Sequence, residues 1–122
     1  MGFFDDPRLI HEAKSRQERR VQDEQQTIHR FCSKDNLNRI VEHVKTQLQK
    51  QFIASEGVRY DLYSVDLGEE FGINYNTKSL ILESQHCLGA LQRVLCRFDN
   101  TLRRVSLCDE YESTRLRLDL EF

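Results

Sequence analysis

The chain has 122 residues, 39% hydrophobic and 31% charged, a composition that fits one well-solvated domain around a single core and excludes a disordered chain. Its formal charge of −2 and pI near 6.1 supply no global field toward nucleic acid or an anionic membrane, so such binding needs a local patch. Residues 1–56 carry +1 (10 Lys and Arg against 9 Asp and Glu) and residues 57–122 carry −3 (8 against 11), so neither half is a tail of one sign.

The opening "MGFFDDPRL" has no basic region followed by a long apolar stretch, so neither a signal peptide nor a membrane anchor is expected and the expected location is the cytoplasm. "DDPR" is a helix start: Asp5 or Asp6 can accept the free amides of the first turn, and Pro7 suits the first helical position, where no donor is needed. A helix from about Pro7 to Phe31 follows. Its apolar stripe, Ile10, Ala13, Val21, Ile28 and Phe31, is thin and is interrupted by "KSRQERR". The middle of this helix is therefore either solvated, with pairs such as Glu12–Arg16 four residues apart, or left open for a partner. Arg16, Arg19 and Arg20 mark it as a candidate protein-binding arm, although they alternate with Glu12, Glu18, Asp23 and Glu24.

"CSKDNLNRI" breaks the pattern, with Ser33 or Asp35 placed to cap a second helix from about Asn36 to Ala54. There Leu37, Ile40, Val41, Val44, Leu48 and Phe52 follow the spacing of a broad buried face. The pair reads as a helical hairpin or one long bent helix. From Gly57 the chain turns to β patterning: "VRYDLYSVDL" alternates on even positions (Val58, Tyr60, Leu62) and then on odd ones (Tyr63, Val65, Leu67), the change a bulge produces. "FGINYN" and "KSLILE" read as two further strands around "NTK".

In "SQHCLGALQRVLCRFDN" the apolar positions Cys87, Leu88, Leu91, Val94, Leu95 and Phe98 match a helix near 85–98 with Ser84 as its cap, and a strand over "RVLCRF" is the alternative. "LRRVSLC" and "TRLRLDLEF" form a terminal antiparallel hairpin around "DEYES". The fold class expected is α+β: an N-terminal helical part, 1–56, packed on a mostly antiparallel sheet of about five strands, 57–122, with one further helix. From the second helix onward this element order resembles that of bacterial secretion chaperones, which are small, acidic and dimeric; the likeness is one of element order without a shared motif, and fold does not fix function.

Motifs for chemistry are sparse. Gly57, Gly68, Gly72 and Gly89 are isolated, so no glycine-rich phosphate loop exists. The nearest approach to a metal set is His29 with Cys32 and His86 with Cys87, without the paired short spacings of zinc sites. Adjacent residues of a helix point apart, so His86 is poorly placed to activate Cys87, and no nucleophile elbow is present. Cys32, Cys87, Cys96 and Cys108 are expected to act as small core residues. No cofactor and no enzymatic activity are expected.

Two surface readings remain. Arg93, Arg97, Arg103 and Arg104 are candidate phosphate ligands if the third helix packs beside the last hairpin. In the terminal strand, Arg115, Arg117, Asp119 and Glu121 alternate with leucines. Antiparallel pairing of two copies about Leu118 sets Arg115 against Glu121 and Arg117 against Asp119, as a two-fold interface requires; the competing explanation is a central strand whose charges are answered within the chain. The function favoured is a small non-enzymatic protein-interaction module, self-associating as a homodimer, that acts as adaptor, chaperone-like protein or inhibitor of a larger machine. Nucleic-acid association through the arginine patch is the alternative.

Overall fold

The structure, a computed structural model, describes residues 2–122. After a short 3-10 turn at Phe3–Asp5, helix α1 runs from Pro7 to Phe31 and helix α2 from Lys34 to Ala54. Strand β1 (Leu62–Leu67), a second 3-10 turn (Glu69–Phe71), helices α3 (Lys78–Glu83) and α4 (Gln85–Phe98), and strands β2 (Arg104–Asp109) and β3 (Leu116–Glu121) complete the chain. It is an α+β arrangement in which α2, α3 and α4 cover one face of a small antiparallel sheet.

The helix ends follow the side chains available to satisfy free amides. Asp6 caps α1 by accepting from the Arg8 amide at 2.9 Å, with Pro7 at the first helical position. Ser33 accepts from the Asn36 amide and caps α2; Ser84 accepts from the Cys87 amide and caps α4. The helix over 85–98 is therefore the right alternative.

Two of the strand assignments need correction. The sheet has three strands in the order β1-β3-β2, not about five. "FGINYN" is a turn, because Asn74 folds back to accept from the Asn76 and Thr77 amides while Gly72 occupies the left-handed region at φ 83°. "KSLILE" then coils as α3, burying Ile81 with Leu80 and Leu82 half-buried. A short apolar run suits either a strand or a buried helical turn, and the Asn-Thr turn before it decides. The element order that carries the likeness to secretion chaperones is not met over this stretch.

The change of parity in "VRYDLYSVDL" is not a bulge. Residues 62–67 pair one to one with 121–116, and Tyr63, Val65 and Leu67 point into the core. Val58, Tyr60 and Leu62 are exposed. The parity change marks the place where the chain enters the sheet.

The core joins Ile40 and Val44 of α2, Leu91 and Leu95 of α4, and Val65, Leu67, Val105, Leu116, Leu118 and Leu120 of the sheet. Helix α1 stands apart from it. Only Phe31 among its residues is buried, with Ile28 packed beside it, so α1 and α2 are two helices joined at Cys32–Ser33 and not a hairpin packed along its length.

Candidate functional site

The polar face of the sheet answers the two middle charges of the terminal strand, Arg117 and Asp119. Arg117 donates to Asp119, two residues along β3, from Nε at 3.0 Å and from Nη2 at 3.2 Å. Ser64 of β1 donates to the same carboxylate at 2.7 Å and the Cys108 thiol of β2 approaches it at 3.5 Å. Burial alone raises the Asp119 carboxyl, but these hydrogen bonds and the Arg117 charge outweigh it and hold the group below its ordinary value. Nearby, a hydrogen bond with Asp66, then desolvation, push the Glu110 carboxyl up.

Pairing of two copies about Leu118 is therefore corrected. Strand β3 is central, bonded by β1 on one edge and β2 on the other, and Leu118 is fully buried. Arg115 and Glu121 are exposed at the ends of the strand, with the Glu121 carbonyl accepting from the Arg103 amide at 2.7 Å. The outer edge of β1 is covered as well: Gln51 of α2 donates to the Ser64 carbonyl at 3.0 Å, and His43 Nε2 meets the Asp66 carbonyl at 3.0 Å.

The thiols and imidazoles do not assemble around a common point. Cys32 Sγ lies 3.2 Å from Cys87 Sγ, where the root of α1 meets the start of α4, while His29 and His86 are exposed. Among the described residues no three His, Cys, Asp or Glu side chains are grouped to hold a metal ion. Burial, reinforced by the Cys87 thiol, pushes the Cys32 thiol up to about 12, so it stays protonated and a weak nucleophile. Buried Lys78 anchors α3 to the β2–β3 turn, donating to the Asp109 carboxylate and to the Glu110 and Ser113 carbonyls.

Arg16 and Arg20 pair with Glu12 and Glu24 on the surface of α1, whereas Arg19 has no ion pair among the described residues. The same holds for Arg93, Arg97, Arg103 and Arg104, all exposed, the first two one turn apart on α4. Ile10 and Val21 of the arm remain at the surface, 41% and 40% exposed.

A cleft absent from the sequence reading lies where α2 and α4 end beside the sheet. It encloses about 610 Å³ and is walled by Leu48, Phe52, Tyr63, Phe98 and Phe122, with Lys45 and Arg59 on its rim. Lys45 Nζ lies 5.5 Å above the Phe98 ring. Phe52, assigned by spacing to the buried face of α2, is instead 46% exposed, and Ile53, Val58, Tyr60 and Leu62 in the chain that follows are exposed as well. The only signal for this in the sequence is the even-numbered apolar set at 58, 60 and 62, out of step with the strand that follows. No protein-family model, curated protein or solved structure matches the chain.

Proposed function

We propose that the protein is a non-enzymatic interaction module of the cytoplasm that binds another protein and self-associates. The observation that carries this reading is α1: a 25-residue helix with one buried side chain, Phe31, that keeps Leu9, Ile10 and Val21 at the surface. A helix gains most of its stability from packing an apolar face, so an unpacked one of this length is suited to accept a partner. The apolar cleft, with Phe52 exposed on its wall, supports the same reading, since an exposed apolar surface on a protein of this size marks contact with another macromolecule.

Gentle affinity capture from the native host tests it. The intact protein is expected to recover a stoichiometric protein partner, and Val21→Glu, which places a charge on the stripe without touching the core, is expected to lose it. Capture of nucleic acid that resists salt washing, with no protein, would overturn the reading. That second reading has one observation in its favour, the four arginines at 93, 97, 103 and 104, exposed and without an ion pair among the described residues; it expects affinity that falls steeply with salt.

A further inference from the structure

We infer that the cleft at the end of α2 receives the arm tip of a second copy of this chain, with Phe3 and Phe4 entering the apolar walls and Asp5 and Asp6 facing Lys45 and Arg59. The inference rests on the interaction reading above and names the partner. It starts from two unsatisfied surfaces on one molecule. Phe3 and Phe4 are 75% and 83% exposed, the largest apolar side chains on the tip, and their rings meet edge to face with centroids 5.2 Å apart. The 3-10 turn that presents them is closed by the Gly2 amide donating to the Asp5 carboxylate at 3.1 Å and by the Asp5 amide donating to the Gly2 carbonyl at 3.1 Å. The turn fixes the backbone that carries the two rings, which lowers the entropy lost on docking.

The cleft is the complementary half. Its volume of about 610 Å³ falls within the ~300–1,000 Å³ span of sites that enclose small ligands, and its walls are aromatic and aliphatic. The charges also match. Asp5 and Asp6 bring two negative charges, and the cleft rim offers Lys45 and Arg59. Arg59 makes no ion pair among the described residues; Lys45 pairs with exposed Glu42 at 3.2 Å, a contact that does not block a second carboxylate. The acid on the rim, Asp99, is held below its ordinary value by the Thr101 hydroxyl and amide and by the charge of Arg59, so it stays an anion, and the two rim cations exceed it by one.

The tip does not reach the cleft of its own chain. A helix of 25 residues is about 37 Å long, and α1 joins the body only at its last turns, through Ile28 and Phe31. A second copy supplies the tip without breaking the helix, and reciprocal exchange of two arms closes the assembly as a two-fold dimer.

Sedimentation velocity on the purified full chain tests this. The wild type is expected to be a dimer. The double variant Phe3→Ser/Phe4→Ser, altered only at exposed positions, is expected to raise the dimer dissociation constant about 30-fold or more, as loss of aromatic anchors does at other interfaces. Phe52→Asp, at an exposed cleft position, is expected to do the same. Mixed together, these two variants retain one intact tip and one intact cleft and are expected to form a one-to-one heterodimer. Arg59→Glu, which reverses a rim charge and leaves the turn at the tip intact, is expected to weaken the dimer, whereas Arg59→Lys keeps it. A wild-type dimer that survives Phe3→Ser/Phe4→Ser overturns the inference. A monomeric wild type that still captures a stoichiometric foreign protein overturns it and leaves the interaction reading standing, whereas a monomer that captures no protein overturns both.

Discussion

Asp119 shows how one residue of the terminal strand is governed by neighbours from three strands. Its carboxylate collects Arg117, Ser64 and Cys108, and is held below its ordinary value although burial opposes this. A group whose folded pKa lies below the unfolded value of about 3.9 stabilises the fold above that value and loses the contribution as pH falls through the folded one. Asp119→Asn is therefore expected to lower stability by about 1 kcal/mol at neutral pH. The deficit should shrink as pH drops below about 3.9, where the unfolded chain begins to take up the proton, and vanish only once pH has fallen through the lower folded-state value. Urea midpoints at pH 7 and pH 3 check it; a deficit that is the same at both would show that the charge plays no part. Glu110, pushed up by its hydrogen bond with Asp66, has the opposite sign and is favoured in its protonated form as pH falls. The alternation of "TRLRLDLEF" made its apolar side legible, and Leu116, Leu118 and Leu120 are indeed buried. The partners of its charges were not legible, because the order β1-β3-β2 brings Ser64 beside Asp119 across 55 positions of sequence.

At the scale of elements, the long helices were readable because caps and periodicity agree. Asp6 with Pro7 and Ser33 each lie at a boundary marked by a change of pattern. The short elements were not, because three apolar residues in a row, Leu80, Ile81 and Leu82, carry no period, and the decision falls to Asn74, whose side chain accepts from the next amides and starts α3. Helix α4 contains the remaining inconsistency, Gly89, whose cost in a helix interior is about 1 kcal/mol relative to Ala. A methyl group there meets only the end of the Arg93 side chain, at 3.8 Å, an ordinary contact with a group free to move. Gly89→Ala is thus expected to stabilise the protein by about 0.5–1 kcal/mol. Thermal and urea unfolding measure this, and a destabilised variant would mean that the backbone at 89 must approach something more closely than it does.

For the molecule as a whole, the division that matters is between body and arm. Composition pointed to a helical first part ending near residue 56, but the physical boundary is at Phe31: α2 belongs to the core and α1, apart from its last turns, does not. Sequence periodicity gave both helices an apolar face and is blind to whether anything covers it; the thin stripe of α1 was the one indication. Residues 8–26 are exposed apart from half-buried Ser15 and Glu24, and their side-chain support is limited to surface pairs such as Arg16–Glu12 at 3.5 Å, each worth about 0.3–0.5 kcal/mol. An uncovered helix of this kind opens far more readily than a core helix, because opening it exposes almost no apolar surface. In dilute solution, backbone amides of 11–26 are expected to exchange hydrogen well before those of Ile40–Leu48 and Leu91–Leu95, with the boundary of protection close to Ile28. If a partner docks on the stripe around Val21, as proposed, exchange across 11–26 should slow in its presence, while the core segments, already limited by global unfolding, should change little. Equal protection of arm and core in dilute monomer would show that α1 is held by its own body, and the arm would then not be the recognition element.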